Sequence, residues 1–160
     1  MARIAVQEGT EPEFFRAMAA VDELGAATLG LNSAVYRGTE LPIRVREVAR
    51  MRIALINDCF ACRGARFEGM TEELYSRVRE WRTYPAYAPE ERLAIEYAER
   101  FAEDHFSIDD DFMARLREHF SDREVLALTV DIAYFLGIGR LTQVLELYGA
   151  CALDGSPIGP

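Results

Sequence analysis

The chain has 160 residues, half of them hydrophobic, and it carries a formal net charge of −9. This length predicts one domain over residues 1–160, and the apolar content argues against a disordered chain. An acidic chain lacks the basic face that binds nucleic acid or an anionic membrane surface. We see no apolar run of bilayer-spanning length and no apolar signal region, so we expect no membrane partner and a cytoplasmic location.

The predicted elements are helices almost throughout, because no apolar/polar alternation is long enough to indicate a strand. Thr10 is expected to cap the first helix, Asp58 the fourth and Asp109 the seventh. Ser121 and Glu124 have the capping-box spacing that opens the last helix. The predicted helices, in chain order, cover residues 11–21, 22–36, 39–56, 59–67, 71–81, 89–105, 110–119 and 122–148. The fold class is therefore expected to be all-α.

The most informative motif is the CxxC pair formed by Cys59 and Cys62, beside which the chain holds one other cysteine, Cys151. Thiols at positions i and i+3 share a helical face and are close enough to form a disulfide. In a cytosolic protein such a pair is more often catalytic or metal-binding than structural. A zinc site needs four ligands, and only Cys151 or a distant histidine could complete one, so we expect no metal.

Two charged residues are expected to act with this pair. A position near a helix N-terminus favours a thiolate, and Arg66, one turn after Cys62, would add a fixed positive charge on the same face. Glu47 lies twelve residues before Cys59, on a helix face that it shares with Ile43 and other apolar residues. We expect a buried Glu47 carboxylate to accept or donate a proton.

Each charged candidate also has a structural interpretation. Glu47 could pair with Arg44 or Arg50, each one helical turn away. Arg66 could be a solvated surface residue or could form an ion pair between subunits. Asp131, in the apolar last helix, is a candidate buried acid, and we expect it to be paired or to lie at a subunit contact rather than to be catalytic.

The spacing from Glu47 through Cys59 to Cys62 resembles the signature of the alkyl hydroperoxidase D-like proteins, within the carboxymuconolactone decarboxylase superfamily. That signature continues with a histidine four residues after the second cysteine, where this chain has Arg66. The similarity covers about residues 11–147. It includes the segments 50–54, 81–82, 89–99, 119–129 and 139–141.

This resemblance implies an all-helical protein that assembles as a homotrimer or homohexamer and acts as a thiol peroxidase or disulfide reductase. One thiolate would attack a peroxide and become a sulfenic acid, and the other thiol would condense with it to form the disulfide. The resemblance implies no bound cofactor. It implies reduction by an external dithiol of the lipoyl type, or by a thiol reductant protein.

Several alternatives remain open at this stage. Arginine stays charged and cannot shuttle a proton as histidine does, so Glu47 and water would have to move protons. Helix position favours Cys59 as the attacking thiol, whereas Arg66 favours Cys62. A relative of carboxymuconolactone decarboxylase could instead act on a small ring acid or lactone, with Glu47 as acid/base and Arg66 as carboxylate anchor. A third hypothesis is a non-catalytic oligomer that senses redox state or binds a partner.

Overall fold

The computed structural model describes residues 2–38 and 40–147. Over these residues the chain forms α-helices and two short 3₁₀ turns, at 77–80 and 105–107, and no strand. The all-α prediction is confirmed. The helices are α1 (Glu13–Ala19), α2 (Asp22–Arg37), α3 (Ile43–Ile56), α4 (Phe60–Gly64), α5 (Glu72–Ser76), α6 (Pro89–Glu103), α7 (Asp110–His119) and α8 (Asp122–Leu145).

Local sequence signals explain most of these boundaries. The side chain of Asp109 accepts a hydrogen bond from the Phe112 N–H, and Ser121 forms the predicted capping box at the start of α8. The cap proposed at Thr10 is wrong, because Pro12 occupies the N-cap position of α1. The segment predicted as one helix at 71–81 divides into α5 and a 3₁₀ turn. The predicted end of α8 at position 148 lies outside the described residues.

Helix α3 occupies the centre of the molecule and packs against α6 on one side and α8 on another. Its buried apolar residues, which include Val45, Val48 and Ile53, join the two largest hydrophobic clusters. The same helix also buries three charged side chains, Arg46, Glu47 and Arg50. Charges removed from water need partners, so this helix determines where polar chemistry can occur in the core.

Helix α8 is long and apolar enough, by length and composition, to cross a membrane. This corrects the expectation that no apolar run approaches that length. One side of α8 is buried against other helices, whereas Leu126, Val130 and Val144 on it are exposed. A core helix of a soluble protein satisfies the same criteria, so this single helix is weak evidence for a membrane protein.

Candidate functional site

The cysteine pair is positioned by the tight turn between α3 and α4. Asn57 ends α3, and Asp58 takes a positive φ of 50° that reverses the chain direction. The backbone N–H of Cys59 then donates to the carbonyl of Ala54 at 3.0 Å. The Asn57 amide donates to the Leu136 carbonyl of α8 at 3.2 Å, which fixes the turn against that helix.

Cys59 and Cys62 are joined as a disulfide, with their Cα atoms 5.3 Å apart. Cys59, rather than the predicted Asp58, is the N-cap residue of α4, and its sulfur accepts the backbone N–H of Cys62 at 3.2 Å. The Cys59 sulfur also lies 3.9 Å from the hydroxyl oxygen of Thr142 on α8. Cys59 is buried and Cys62 is half-buried, so the two sulfurs differ in access. Cys151 lies outside the described residues.

Cys62 lines a small crevice between α3 and α8. The other lining residues are Tyr36, Arg50, Ile53, Ala54, Phe135 and Gly139. Most of this lining is apolar, and Arg50 brings a positive charge to it. The crevice holds only about 10 Å³, room for about one water molecule, so it is a narrow opening at Cys62 rather than a formed ligand pocket.

Glu47 is fully buried in the middle of α3, but its surroundings are polar. Its Oε2 accepts a hydrogen bond from Arg50 Nε at 2.9 Å and another from the Tyr75 hydroxyl at 3.1 Å. Arg46 Nε lies 3.8 Å from its Oε1. The expected apolar setting is therefore wrong, and of the two possible ion pairs the one with Arg50 is present. The second candidate partner, Arg44, pairs with Glu91 instead.

Arg50 connects Glu47 to the cysteine segment. Its Nη1 donates to the carbonyl of Cys62, and its Nη2 donates to the carbonyl of Ala65 at 3.2 Å. The side chain is 1% exposed, so it is a fixed cation between the carboxylate and the end of α4. The sequence predicted Arg50 as a possible partner of Glu47, one helical turn away, but not its contacts with the cysteine segment.

Tyr75 is the second residue that sequence reasoning missed. Its hydroxyl donates to Glu47 and accepts the backbone N–H of Phe67 at 3.1 Å. Burial raises the pKa of Tyr75 above its ordinary value, and the negative charge of Glu47 raises it further. The phenol is therefore a neutral hydrogen-bond donor that holds the Glu47 carboxylate in place.

Arg66 does not lie on a helical face with Cys62. Helix α4 ends at Gly64 rather than at the predicted Phe67, because Ala65 takes extended backbone angles. Arg66 instead forms a salt bridge with Glu72, with a hydrogen bond of 3.1 Å from its Nη2. Its side chain is 42% exposed, so the surface interpretation describes its position. The catalytic roles assigned to Cys59, Cys62, Glu47 and Arg66 stay predictions.

The comparisons with known proteins agree with this architecture. The model of the carboxymuconolactone decarboxylase family matches residues 12–100, which is more than half of the chain. The uncharacterized protein YnjA of Escherichia coli K12 is 34% identical over 117 residues, which cover 68% of this chain. Those residues cover 64% of the length of YnjA, so this chain spans somewhat less than two thirds of that relative.

Two solved structures are also similar. A protein of unknown function from Agrobacterium tumefaciens, whose suggested identity is the antioxidant defence protein AhpD, superposes with a TM-score of 0.71. It is 25% identical, and the match covers 91% of this chain and 96% of that protein. The debrominase Bmp8, at 17% identity, superposes with a TM-score of 0.74 over 85% of this chain and 76% of its own. The chain therefore belongs to the carboxymuconolactone decarboxylase family and is an AhpD-like member of that superfamily.

Proposed function

We propose that this protein is a thiol-dependent peroxidase that reduces organic hydroperoxides with the Cys59–Cys62 pair. The observation that carries the proposal is the disulfide itself, whose half-buried member Cys62 lines a crevice together with the buried cation Arg50. A peroxidase of this type needs two thiols that can close a disulfide and one that a substrate can reach. The spacing of Cys59 and Cys62 meets the first requirement, and the partial exposure of Cys62 supports the second.

The difference in burial supports Cys62 as the attacking residue. Cys62 releases its proton to water, and its thiolate attacks the outer oxygen of the hydroperoxide. The O–O bond breaks, Cys62 becomes a sulfenic acid, and the alkoxide takes back from water the proton that Cys62 released. The thiol of Cys59 then attacks the Cys62 sulfur. Its proton and the sulfenic hydroxyl leave as water, and the disulfide forms. The sum is one hydroperoxide and two thiols converted to one alcohol, one water and one disulfide.

Arg50, rather than Arg66, is placed to support this chemistry. Its guanidinium is held against the end of α4 by the carbonyls of Cys62 and Ala65 and is anchored by Glu47. A fixed positive charge beside the crevice favours the thiolate over the thiol and stabilises the negative oxygen that leaves the peroxide. Glu47 is then a positioning residue that acts through Arg50.

The remaining parts of the proposal concern partners. We expect an external dithiol, free or carried by a lipoylated or other thiol reductant protein, to reopen the disulfide, with no cofactor bound to the chain. We expect a cytoplasmic homotrimer or homohexamer. Large exposed hydrophobic residues, such as Leu24 and Phe106, provide apolar surface of the kind that such contacts bury.

The test is consumption of cumene hydroperoxide by the reduced protein in the presence of excess dihydrolipoamide. Cys59→Ser and Cys62→Ser should both lose turnover, whereas Cys151→Ser, which changes a cysteine outside the pair, should keep it. After one equivalent of peroxide, Cys59→Ser should carry a sulfenic acid that dimedone traps, because its Cys62 can react but cannot be resolved. A wild-type protein that leaves peroxide and both thiols unchanged would overturn the proposal.

The same experiment separates the other hypotheses. An enzyme that acts on a ring acid or lactone would tolerate both serine variants. Glu47 and Arg66, the two residues proposed for such an enzyme, do not line the crevice at Cys62. Their absence does not favour the ring-acid hypothesis. A redox sensor would form the disulfide with one equivalent of peroxide and would not turn over.

A further inference from the structure

A second cavity, of about 280 Å³, lies between α2 and the first half of α8. It shares no lining residue with the crevice at Cys62, so it is a separate site. Its walls are aliphatic and include Leu31, Val35, Leu41, Leu126 and Val130. A cavity near the lower end of the size range for ligand sites, with walls of this kind, fits a short unbranched chain.

Asp131 faces this cavity from α8. Burial in the apolar wall raises its pKa to about 7, against a lowering influence of Arg46. The other charged groups that act on it are Glu40 and Glu47, and both raise the pKa. Within the described residues the Asp131 carboxyl forms no hydrogen bond or ion pair. Asp131 therefore presents to the cavity an unpaired carboxyl group, and this group is half protonated near neutral pH.

The positive charges around the cavity exceed the acids that are already paired with them. Arg123 at the mouth forms a salt bridge with Glu40 at 3.0 Å. On the buried side, Arg46 and Arg50 together face the single carboxylate of Glu47. The ionised form of Asp131 balances the charge of Arg46, so one positive charge remains for the cavity only when Asp131 is protonated.

Arg46 cannot turn away from this position. Its Nη1 donates to the carbonyls of Val35 and Tyr36, at 3.3 and 3.1 Å, at the end of α2. The side chain is almost fully buried, so water does not screen its charge effectively. When Asp131 is protonated, no acid in the cavity lining balances Arg46.

We propose that this cavity binds a small aliphatic monocarboxylate, with the hydrocarbon chain along the α2–α8 walls and the carboxylate beside Asp131, in the field of Arg46. The site goes beyond the proposed peroxidase activity, since none of its lining residues also lines the crevice at Cys62. Protonated Asp131 donates its hydrogen to one carboxylate oxygen of the ligand. Two carboxylates side by side cannot both stay ionised, so binding above neutral pH requires Asp131 to take up a proton.

The test is isothermal titration of the full chain with octanoate at pH 7.5, in phosphate and in Tris, which differ in ionisation enthalpy. We expect saturable binding with proton uptake, and an affinity that falls about tenfold for each pH unit above the pKa of Asp131. Asp131→Asn should bind octanoate without proton uptake and without this pH dependence. Octylamine, which has the same chain and the opposite charge, should not bind.

Two matched variants place the ligand in the cavity. Val130→Trp fills the cavity from its exposed rim and should abolish binding, whereas Val144→Trp, exposed on the same helix outside the cavity, should leave the affinity unchanged. Circular dichroism confirms that each variant is folded. The proposal is wrong if octanoate does not bind, if octylamine binds equally well, or if Val130→Trp binds as the wild type does. If octanoate does not bind, and if the particle mass of Val130→Trp is smaller than that of the wild type, the cavity is instead a contact between copies of the chain.

Discussion

The buried pair of Glu47 and Arg50 provides the sharpest test of how the core supports the cysteine site. Replacing Arg50 with Met keeps a long apolar side chain but removes the 2.9 Å hydrogen bond to Glu47. It also leaves the carbonyls of Cys62 and Ala65 without this donor. The Glu47 carboxylate, which has no exposure to water, then depends on Tyr75 and on Arg46 at 3.8 Å.

The expected cost follows from leaving a charge buried without its main partner. Removal of one member of a buried ion pair typically destabilises a protein by about 3–5 kcal/mol. For a domain of this size that corresponds to a fall in Tm of roughly 6–20 °C. Glu47→Gln should cost a similar amount, because it leaves two buried arginines without an acid. The double variant should cost less than the sum of the two, by roughly 1–3 kcal/mol, because the pair is then removed together.

The assay is urea unfolding of the oxidised protein, followed by circular dichroism, for the two single variants and the double variant. Arg66→Met is the matched control, since it breaks an arginine–glutamate pair at the surface, where the Glu72 side chain is 74% exposed. Its midpoint should move far less than that of Arg50→Met. The reasoning is refuted if Arg50→Met costs no more than Arg66→Met, or if the effects of Glu47→Gln and Arg50→Met simply add.

Three further predictions concern single residues. The folded chain holds the Asp131 proton up to about pH 7, so the free energy of unfolding falls as the pH rises from about 4 to 7. In urea titrations, Asp131→Asn should be as stable as the wild type near pH 4. At pH 8 it should be roughly 2 kcal/mol more stable, after allowance for solvent screening. An equal difference at both pH values would contradict this. Tyr75→Phe should lower stability in the same assay by about 1–3 kcal/mol, since Glu47 loses a donor at 3.1 Å, and an unchanged midpoint would exclude that role. A Cβ on Gly139 would lie 2.5 Å from the side-chain amide of the α3 C-cap residue, so Gly139→Ala should lower the melting temperature, while Gly137→Ala, with open space around its Cβ, should not.

Local signals in the sequence were sufficient for most of the helical framework. Asp109 and Ser121 cap α7 and α8 as predicted, because N-cap side chains bond to N–H groups only three residues away. The end of α3 at Ile56 was also predicted correctly. Short-range errors occurred where the backbone leaves a regular helix. The extended angles of Ala65 end α4 early, and no composition signal marks that residue.

The site itself was predictable only in part. The spacing of Cys59 and Cys62 was enough to predict that the two thiols are close enough to form a disulfide, because an i, i+3 relation is a property of the chain alone. The prediction that Arg66 shares a helical face with Cys62 was wrong, because it depended on a helix that ends at Gly64. That change moves the arginine to the surface and into a salt bridge with Glu72.

The sequence by itself determined the helices, the thiol pair and the presence of a carboxylate one helix before it. Only the tertiary structure decided which cation meets that carboxylate and the cysteine segment. Arg44, Arg46 and Arg50 all lie within one turn of Glu47, and spacing along α3 does not distinguish them. Arg50 is selected because α3 presents it to the end of α4, where the carbonyls of Cys62 and Ala65 need donors in a region that excludes water.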